Sequence, residues 1–215
     1  MTGDPANPPP DPASRYVSRG ALKLEHALNE FGIDPTGFVC ADLGCSTGGF
    51  TDCLLQHGAA RVYSVDTAYG QLAWKLRNDP RVVVMERTNA LHAQPPEDVR
   101  TSGGIDLVVI DLGWTRQDKA IPAATRWVKP TGRIITLIKP HYEADKTSLG
   151  EGGVLVEEDA ERIAIDVRDA MPTLGVRVLA FTESPILGGA VSGKRKKKGA
   201  GNREWLALLE PASTA

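Results

Sequence analysis

Residues 39–50 read V-C-A-D-L-G-C-S-T-G-G-F. Val39–Leu43 is an apolar run of strand length broken only by Asp42, Gly44–Gly49 is a glycine turn, and a helix is expected from there to about Gln56. Three glycines within six residues let backbone amides approach a ligand closely, and they open a helix whose N-terminus favours a carboxylate or phosphate. A small anionic or zwitterionic ligand is therefore expected at this turn.

The spacing decides which ligand. A dinucleotide fingerprint needs G-x-G-x-x-G, whereas here Gly44 is followed by Gly48 and Gly49, and the phosphate-cradling Gly-Lys-Ser/Thr loop is also missing. What remains is an acid at the end of the first strand, Asp42, and a second acid, Asp66, ending the next expected strand, Arg61–Val65. An acid in that place can take both hydroxyls of a ribose. The D-L-G-x-x-x-G-G-[FW] pattern resembles motif I of S-adenosylmethionine-dependent methyltransferases.

The chain has 215 residues with 41% hydrophobic content, which suits one domain with a full core. No run approaches about 18 apolar residues and the N-terminus lacks a charged-then-apolar pattern, so a soluble, unexported, cytoplasmic chain is expected. Cys40, Cys45 and Cys53 are odd in number and form no C-x-x-C pair. A reduced setting fits them, and no metal site is expected. Net charge is −2, yet Lys194–Lys198 alone carries five positive charges, so the rest of the chain is acidic.

Residues 1–14 are proline-rich and are expected to be a disordered tail, residues 15–210 one domain, and residues 211–215 a short tail. A helix to about Phe31 is expected after Tyr16, with Ser18 as N-cap and Gly32 as the stop; Leu24, Leu28 and Phe31 share one face, and Lys23 lies beside it. Further expected strands are Arg81–Met85, Ile105–Ile110, Gly132–Ile138, Val176–Ala180 and about Glu204–Leu209. Expected helices are Gln71–Arg77, Gln117–Val128 and about Glu157–Met171. Alternating strands and helices argue a parallel sheet covered on both faces. Ligands of such sheets bind at the carboxyl ends of the strands, which here carry Asp42, Asp66, Glu86 to Asn89, Asp111 and Lys139. Asn89 is a candidate to read an adenine amino group through its carbonyl.

For a methyl transfer, the acceptor must be read from other residues. Pyrimidine carbon-5 methylation needs a cysteine near the acceptor, but all three cysteines lie in the first strand-turn-helix. Methylation of exocyclic amines typically follows [DN]-P-P-[YF], where this chain reads Asp111-Leu-Gly-Trp114. A hydroxyl acceptor needs its proton removed or its lone pair aimed, which a lysine does if its charge is disfavoured. Lys23, Asp111, Lys139 and Glu204 are candidates for such a cluster.

Y-V-S-R-G-A-L-K-L, D-L-G-C-S-T-G-G-F-T-D, V-D-x-x-Y-G-Q-L-A-W-x-L-R, E-R-T-N, I-K-P-x-Y-E and G-N-R-E-W-L together, in this order from about Arg15 to Leu209, resemble the FtsJ-like methyltransferase domain of the TlyA (hemolysin A) family. The resemblance implies an α/β, Rossmann-like class I S-adenosylmethionine-dependent methyltransferase fold with a mostly parallel seven-stranded sheet and a terminal hairpin-like pair. It also implies methylation of the ribose 2′-hydroxyl of RNA, with ribosomal RNA as partner, through a tetrad of Lys23, Asp111, Lys139 and Glu204. In that tetrad Lys139 activates or aims the hydroxyl, Asp111 orients Lys139 and holds the cofactor near its sulfonium, and Lys23 and Glu204 fix the ribose and the lysine pair. Cofactor contacts are implied at Gly44, Gly48, Phe50, Asp66 and Asn89.

Two departures stand out. TlyA-type members usually carry an S4 RNA-binding domain before the position of Tyr16, where this chain has the proline-rich stretch. The loop before the final strand also holds G-K-R-K-K-K-G at residues 193–199. On an otherwise acidic chain, Lys194, Arg195, Lys196, Lys197 and Lys198 are expected to bind RNA phosphates and compensate for the missing module. The alternatives are a methyltransferase with a base or small-molecule acceptor, and a non-catalytic RNA-binding or ribosome-assembly factor with the same fold.

Overall fold

The computed structural model describes residues 15–144, 155, 157–188 and 201–212. The run Lys194–Lys198, residues 1–14 and residues 213–215 lie outside the described residues.

Seven strands form one sheet: β1 (Val39–Leu43), β2 (Arg61–Val65), β3 (Val82–Met85), β4 (Ile105–Ile110), β5 (Val128–Ile138), β6 (Val176–Glu183) and β7 (Trp205–Pro211). Their spatial order is β3-β2-β1-β4-β5-β7-β6. The first five pair in parallel, whereas β7 runs antiparallel to both β5 and β6. This is the expected mostly parallel sheet with a terminal antiparallel pair.

Seven α-helices accompany these strands among the described residues: α1 (Ala21–Phe31), α2 (Gly49–Gln56), α3 (Trp74–Arg77), α4 (Glu97–Thr101), α5 (Gln117–Thr125), α6 (Pro140–Glu143) and α7 (Glu157–Ala170). β4, apolar apart from Asp106, shows how one strand serves two cores. Leu107 and Val109 join a cluster with Leu24 and Leu28 of α1 and Leu54 of α2. Val108 and Ile110 join the opposite one, with Ile121 of α5 and Ala164 of α7. The two-residue period of the strand feeds both faces alternately.

Several boundaries differ from the sequence expectation for local reasons. α1 begins at Ala21, and Gly20 rather than Ser18 occupies the cap position, without a side-chain cap. Its end is as expected, with Gly32 left-handed at φ 64°. α3 starts at Trp74 rather than Gln71, because Ala73 remains extended and donates its N–H to the Thr47 carbonyl of the glycine turn at 3.2 Å. α5 stops at Thr125, since residues 126–127 turn into β5 and the Trp127 carbonyl accepts the Ile105 N–H at 2.8 Å. β5 accordingly begins at Val128, four residues before Gly132, with a register shift opposite Ile105 and Leu107. The short helices α4 and α6 were not expected at all.

Trp127 is fully buried, and its indole N–H has no partner among the described residues. Truncating a buried tryptophan costs about 3–5 kcal/mol, while a change that deletes only an unpaired N–H does not carry the same penalty. Urea unfolding of Trp127→Ala is expected to show a loss in that range, and Trp127→Phe a clearly smaller one.

Candidate active site

The strand order reverses direction between β1 and β4, and the carboxyl ends of the strands open there into a crevice. A cavity of about 580 Å³ fills it, lined among others by Gly44, Asp66, Gln71, Asn89, Asp111 and Lys139. A smaller cavity of about 130 Å³ continues from it past Gly44, Ser46 and Asp111 to Ser18, Gly49 and Phe50. The first volume suits a drug-sized ligand.

Gly44 is what lets the two strands approach. It has φ 96°, and a Cβ there would sit 2.6 Å from the Asp111 carbonyl oxygen, a backbone atom that cannot swing aside. Asp66 follows β2 and is locked by two backbone bonds: its Oδ2 accepts the Ser46 N–H at 2.8 Å and its Oδ1 the Ala68 N–H at 2.8 Å. Each oxygen keeps a second lone pair for a ligand hydroxyl. Asn89 also lines the cavity, but its carbonyl oxygen, expected to read an adenine amino group, already accepts the Leu91 N–H at 3.0 Å.

Two expected cofactor contacts are placed elsewhere. Asp42 is fully buried beneath the turn and lines neither cavity. Its Oδ2 takes the Thr51 N–H and Oγ–H at 2.9 and 2.7 Å, and its Oδ1 has no partner among the described residues. Burial, opposed by the Thr51 bonds and reinforced by Asp111 and Asp66, pushes its pKa up to about 7. Gly48 lines neither cavity either; at φ 97° its missing Cβ makes room for Leu76 and Leu72, so it packs the turn against the α3 region.

The four candidate charges do converge. Lys23, buried on α1, pairs with Glu204, which lies just before β7. Lys139, at the end of β5, pairs with Asp111 and also donates to the Leu112 carbonyl at 3.1 Å. Burial opposes ionisation of Asp111, yet the charges of Lys139 and Lys23 hold its carboxyl below the usual range. Burial likewise works against the Lys139 ammonium, but Asp111 and then Glu204 outweigh it and raise its pKa. Its surroundings in the free protein therefore favour the ammonium form, the opposite of what a lysine acting as a base needs. Glu204 shows the opposite balance: burial lifts its pKa above normal in spite of Lys23.

Sequence reasoning missed an aromatic rim. Trp114, 75% exposed and at φ 57°, lines the larger cavity, and its ring centroid lies 5.0 Å from that of Tyr142. Tyr142 in turn lies 5.6 Å from the Lys139 ammonium and 4.1 Å from the His141 ring. Ser18, Ser46 and Gln71 were also missed as lining residues, whereas Thr88 lies in the expected stretch from Glu86 to Asn89. The positive φ at Trp114 follows from no feature of its sequence neighbourhood.

The sequence profile of the family described as FtsJ-like methyltransferase matches residues 16–190. The chain belongs to this family. It is 43% identical over 179 residues to the 16S/23S rRNA (cytidine-2′-O)-methyltransferase TlyA of Mycobacterium tuberculosis (strain H37Rv), a match covering 83% of this chain and 66% of that one. It is 41% identical to YqxC of Bacillus subtilis (strain 168), named there as a candidate rRNA methyltransferase, over 81% of this chain and 62% of the other. The match thus spans just under two thirds of the length of these relatives. A solved structure from Streptococcus thermophilus, described as a candidate hemolysin, superposes with a TM-score of 0.82 at 38% identity, covering 93% of this chain and 68% of that one. Solved structures described as S-adenosylmethionine-dependent methyltransferases share the fold at lower identity, for example one from Listeria monocytogenes at TM-score 0.59 and 15% identity, covering 90% of this chain and 99% of that one. Among the described residues no helix is long and apolar enough to cross a membrane.

Two predictions arise from the buried charges. Removing one member of a buried pair strands the other, at about 3–5 kcal/mol, whereas removing both relieves it. Lys23→Met is expected to lower unfolding stability in that range, and Lys23→Met combined with Glu204→Leu to recover part of the loss in a double-mutant cycle. The second concerns His141, which is buried, with Nδ1 lacking a partner among the described residues. Burial and the charges of Lys139 and Lys23 push its pKa down to about 4. The unfolded chain then binds more protons between about pH 6.5 and 4, so folding weakens as pH falls through that window, by about 3 kcal/mol in all. Asp42 titrates with the opposite sign, gaining folding stability as pH falls below about 7. The comparison of wild type with His141→Gln isolates the histidine: urea midpoints between pH 7 and 4.5 are expected to fall more steeply in wild type.

Proposed function

We propose that residues 15–210 form one catalytic domain that methylates the ribose 2′-hydroxyl of RNA, with ribosomal RNA as substrate and S-adenosylmethionine as methyl donor. The observation that carries this reading is the meeting of the buried pair Lys23–Glu204 and the part-buried pair Lys139–Asp111 beside a cavity of about 580 Å³. The names of the M. tuberculosis and B. subtilis relatives support the choice of RNA.

The cavities fit the donor. Asp66 retains free lone pairs for two ribose hydroxyls, Asn89 stands at the base end, and the turn from Gly44 to Phe50 with the start of α2 suits a carboxylate in the smaller cavity. When bound, the donor would supply a methyl group on a sulfonium: its carbon–sulfur bond would break as the bond to the 2′-oxygen forms, S-adenosylhomocysteine would leave and the hydroxyl proton would pass to solvent water, an in-line displacement that depends on orientation. The chain's own part is to aim the acceptor. Lys139, as an ammonium held by Asp111, donates a hydrogen bond to the 2′-oxygen and turns a lone pair towards the methyl group. Lys23 and Glu204 fix the ribose and the lysine pair. Asp111 lines both cavities and so stands between acceptor and donor.

The basic run Lys194–Lys198 belongs to this proposal as an RNA phosphate contact. The segment that carries it leaves and re-enters the described structure at Gly188 and Gly201, next to the tetrad: the Gly188 N–H donates to the Asn202 carbonyl at 2.8 Å, and a Cβ at Gly188 would strike the Glu204 carboxylate. A ribosomal substrate places the work in the cytoplasm.

The test is transfer of labelled methyl from S-adenosylmethionine to ribosomal subunits, free ribosomal RNA and transfer RNA. Wild type is expected to label one ribosomal RNA, with the label surviving alkali in a dinucleotide, and Lys139→Ala to lose at least about a hundredfold in rate. Label recovered in mononucleotides after alkali would indicate a base acceptor. Cofactor binding without transfer to any RNA would favour the non-catalytic factor.

A further inference from the structure

Within the glycine-turn motif, Asp52 is a charged residue that the proposed chemistry leaves unused. It is only 3% exposed and lies in the first turn of α2. Its Oδ2 accepts the Val17 N–H at 2.8 Å and pairs with the Lys75 ammonium at 2.9 Å. Its Oδ1 accepts the Gln56 side-chain N–H at 3.0 Å, and the same amide nitrogen donates to the Arg15 carbonyl at 3.0 Å. One carboxylate therefore fastens three pieces of chain: the segment 15–20, α2, and α3.

That segment is one wall of the smaller cavity. Ser18 and Gly20 face Cys45, Thr47, Gly49 and Phe50 across it. The two walls are in close contact at one point, since a Cβ at Gly49 would lie 2.4 Å from the Ser18 Oγ and 3.0 Å from the Ala21 N. The Val17 N–H that Asp52 holds is adjacent to Ser18, and Lys23 follows on the first turns of α1. No atom of Asp52 lines either cavity. Its influence on a ligand must pass through the wall it fixes.

We propose that Asp52 is a positioning residue that holds the 15–20 strap over the smaller cavity, so that Ser18 closes on the amino-acid end of the methyl donor. This rests on the donor reading above. A carboxylate is suited to the task because backbone N–H, amide and ammonium donors reach it together, and charge-assisted bonds are stronger than neutral ones. The first turn of α2 also favours its negative charge. Lys75 neutralises it from the solvent side, with half its side chain exposed, and contributes little by itself.

The experiment uses S-adenosylhomocysteine as probe, binding measured by calorimetry and amide hydrogen exchange followed by mass spectrometry. Asp52→Ala is expected to raise the Kd at least about tenfold and to speed exchange of residues 17–20 while the β1–β4 core stays protected, one lost charge-assisted bond corresponding to that order of magnitude. Asp52→Asn, which keeps one acceptor for Val17 but loses the charge and turns an N–H towards another donor, is expected to fall between wild type and Asp52→Ala, and Lys75→Ala, which breaks only the outer contact, to stay within about threefold of wild type. A uniformly destabilising role would speed exchange everywhere instead. Unchanged affinity in a folded Asp52→Ala overturns the proposal. Should that variant not fold, the wild type decides: the probe is expected to slow exchange at residues 17–20, and no slowing there despite binding overturns the proposal equally. Absence of any binding by wild type refutes the donor reading itself.

Discussion

Two ion pairs meet at the carboxyl edge of the sheet, Lys23–Glu204 buried and Lys139–Asp111 part-buried at the cavity wall, and the rest of the site is built around keeping them there. Desolvating any one of the four charges alone costs several kcal/mol. Each is answered by more than one opposite charge: Asp111 feels both lysines, and Lys139 feels both carboxylates. The sheet topology makes this possible. Asp111 and Lys139 leave parallel strands at their carboxyl ends, whereas Glu204 precedes its strand and would lie at the opposite edge of an all-parallel sheet. Because β7 runs antiparallel between β5 and β6, its start meets the ends of the others. The irregular strand in this fold is what completes the cluster.

The pairing also sets what Lys139 does. A lysine meant to abstract a proton needs surroundings that favour its neutral form. Here burial pulls that way but the adjacent carboxylates pull harder. The free site therefore presents a charged donor fixed in direction by Asp111 and the Leu112 carbonyl, better suited to orienting an oxygen than to stripping it. Orientation is also the larger part of an in-line displacement.

Much of this was legible in the sequence. β1, β2 and β4 have the expected bounds because segments of five or six mostly apolar residues between polar or glycine punctuation leave little choice. The edges were harder: α3 lost its first turn to a hydrogen bond between Ala73 and Thr47, a contact between residues far apart in the chain. The short helices α4 and α6 are too short for a periodic signal. Lys23 reads as an ordinary surface lysine by itself, and only its motif neighbours point to the buried partner 181 residues away. Asp42 and Gly48 were misplaced for one reason. A motif tells which residues form a turn, but not which side of the turn each faces, and these two face the core and α3 rather than the ligand.

α1 joins the two halves of the site. At its N-terminus the strap carrying Ser18 lies against Gly49, and within its first turns Lys23 reaches Glu204. The helix is short and well packed, with Leu24, Ala27 and Leu28 buried against α2 and the sheet, so displacement at one end is not absorbed before the other. A ligand drawing the strap inward through Ser18 therefore acts on the same rigid body that holds Lys23. The buried Lys23–Glu204 pair resists such movement, because separating the two charges by even a small distance in a dry environment is costly. The strap and the charge cluster are in this way tied to the start of one helix, fastened there by the Asp52 carboxylate through Val17 and by the Glu204 carboxylate through Lys23.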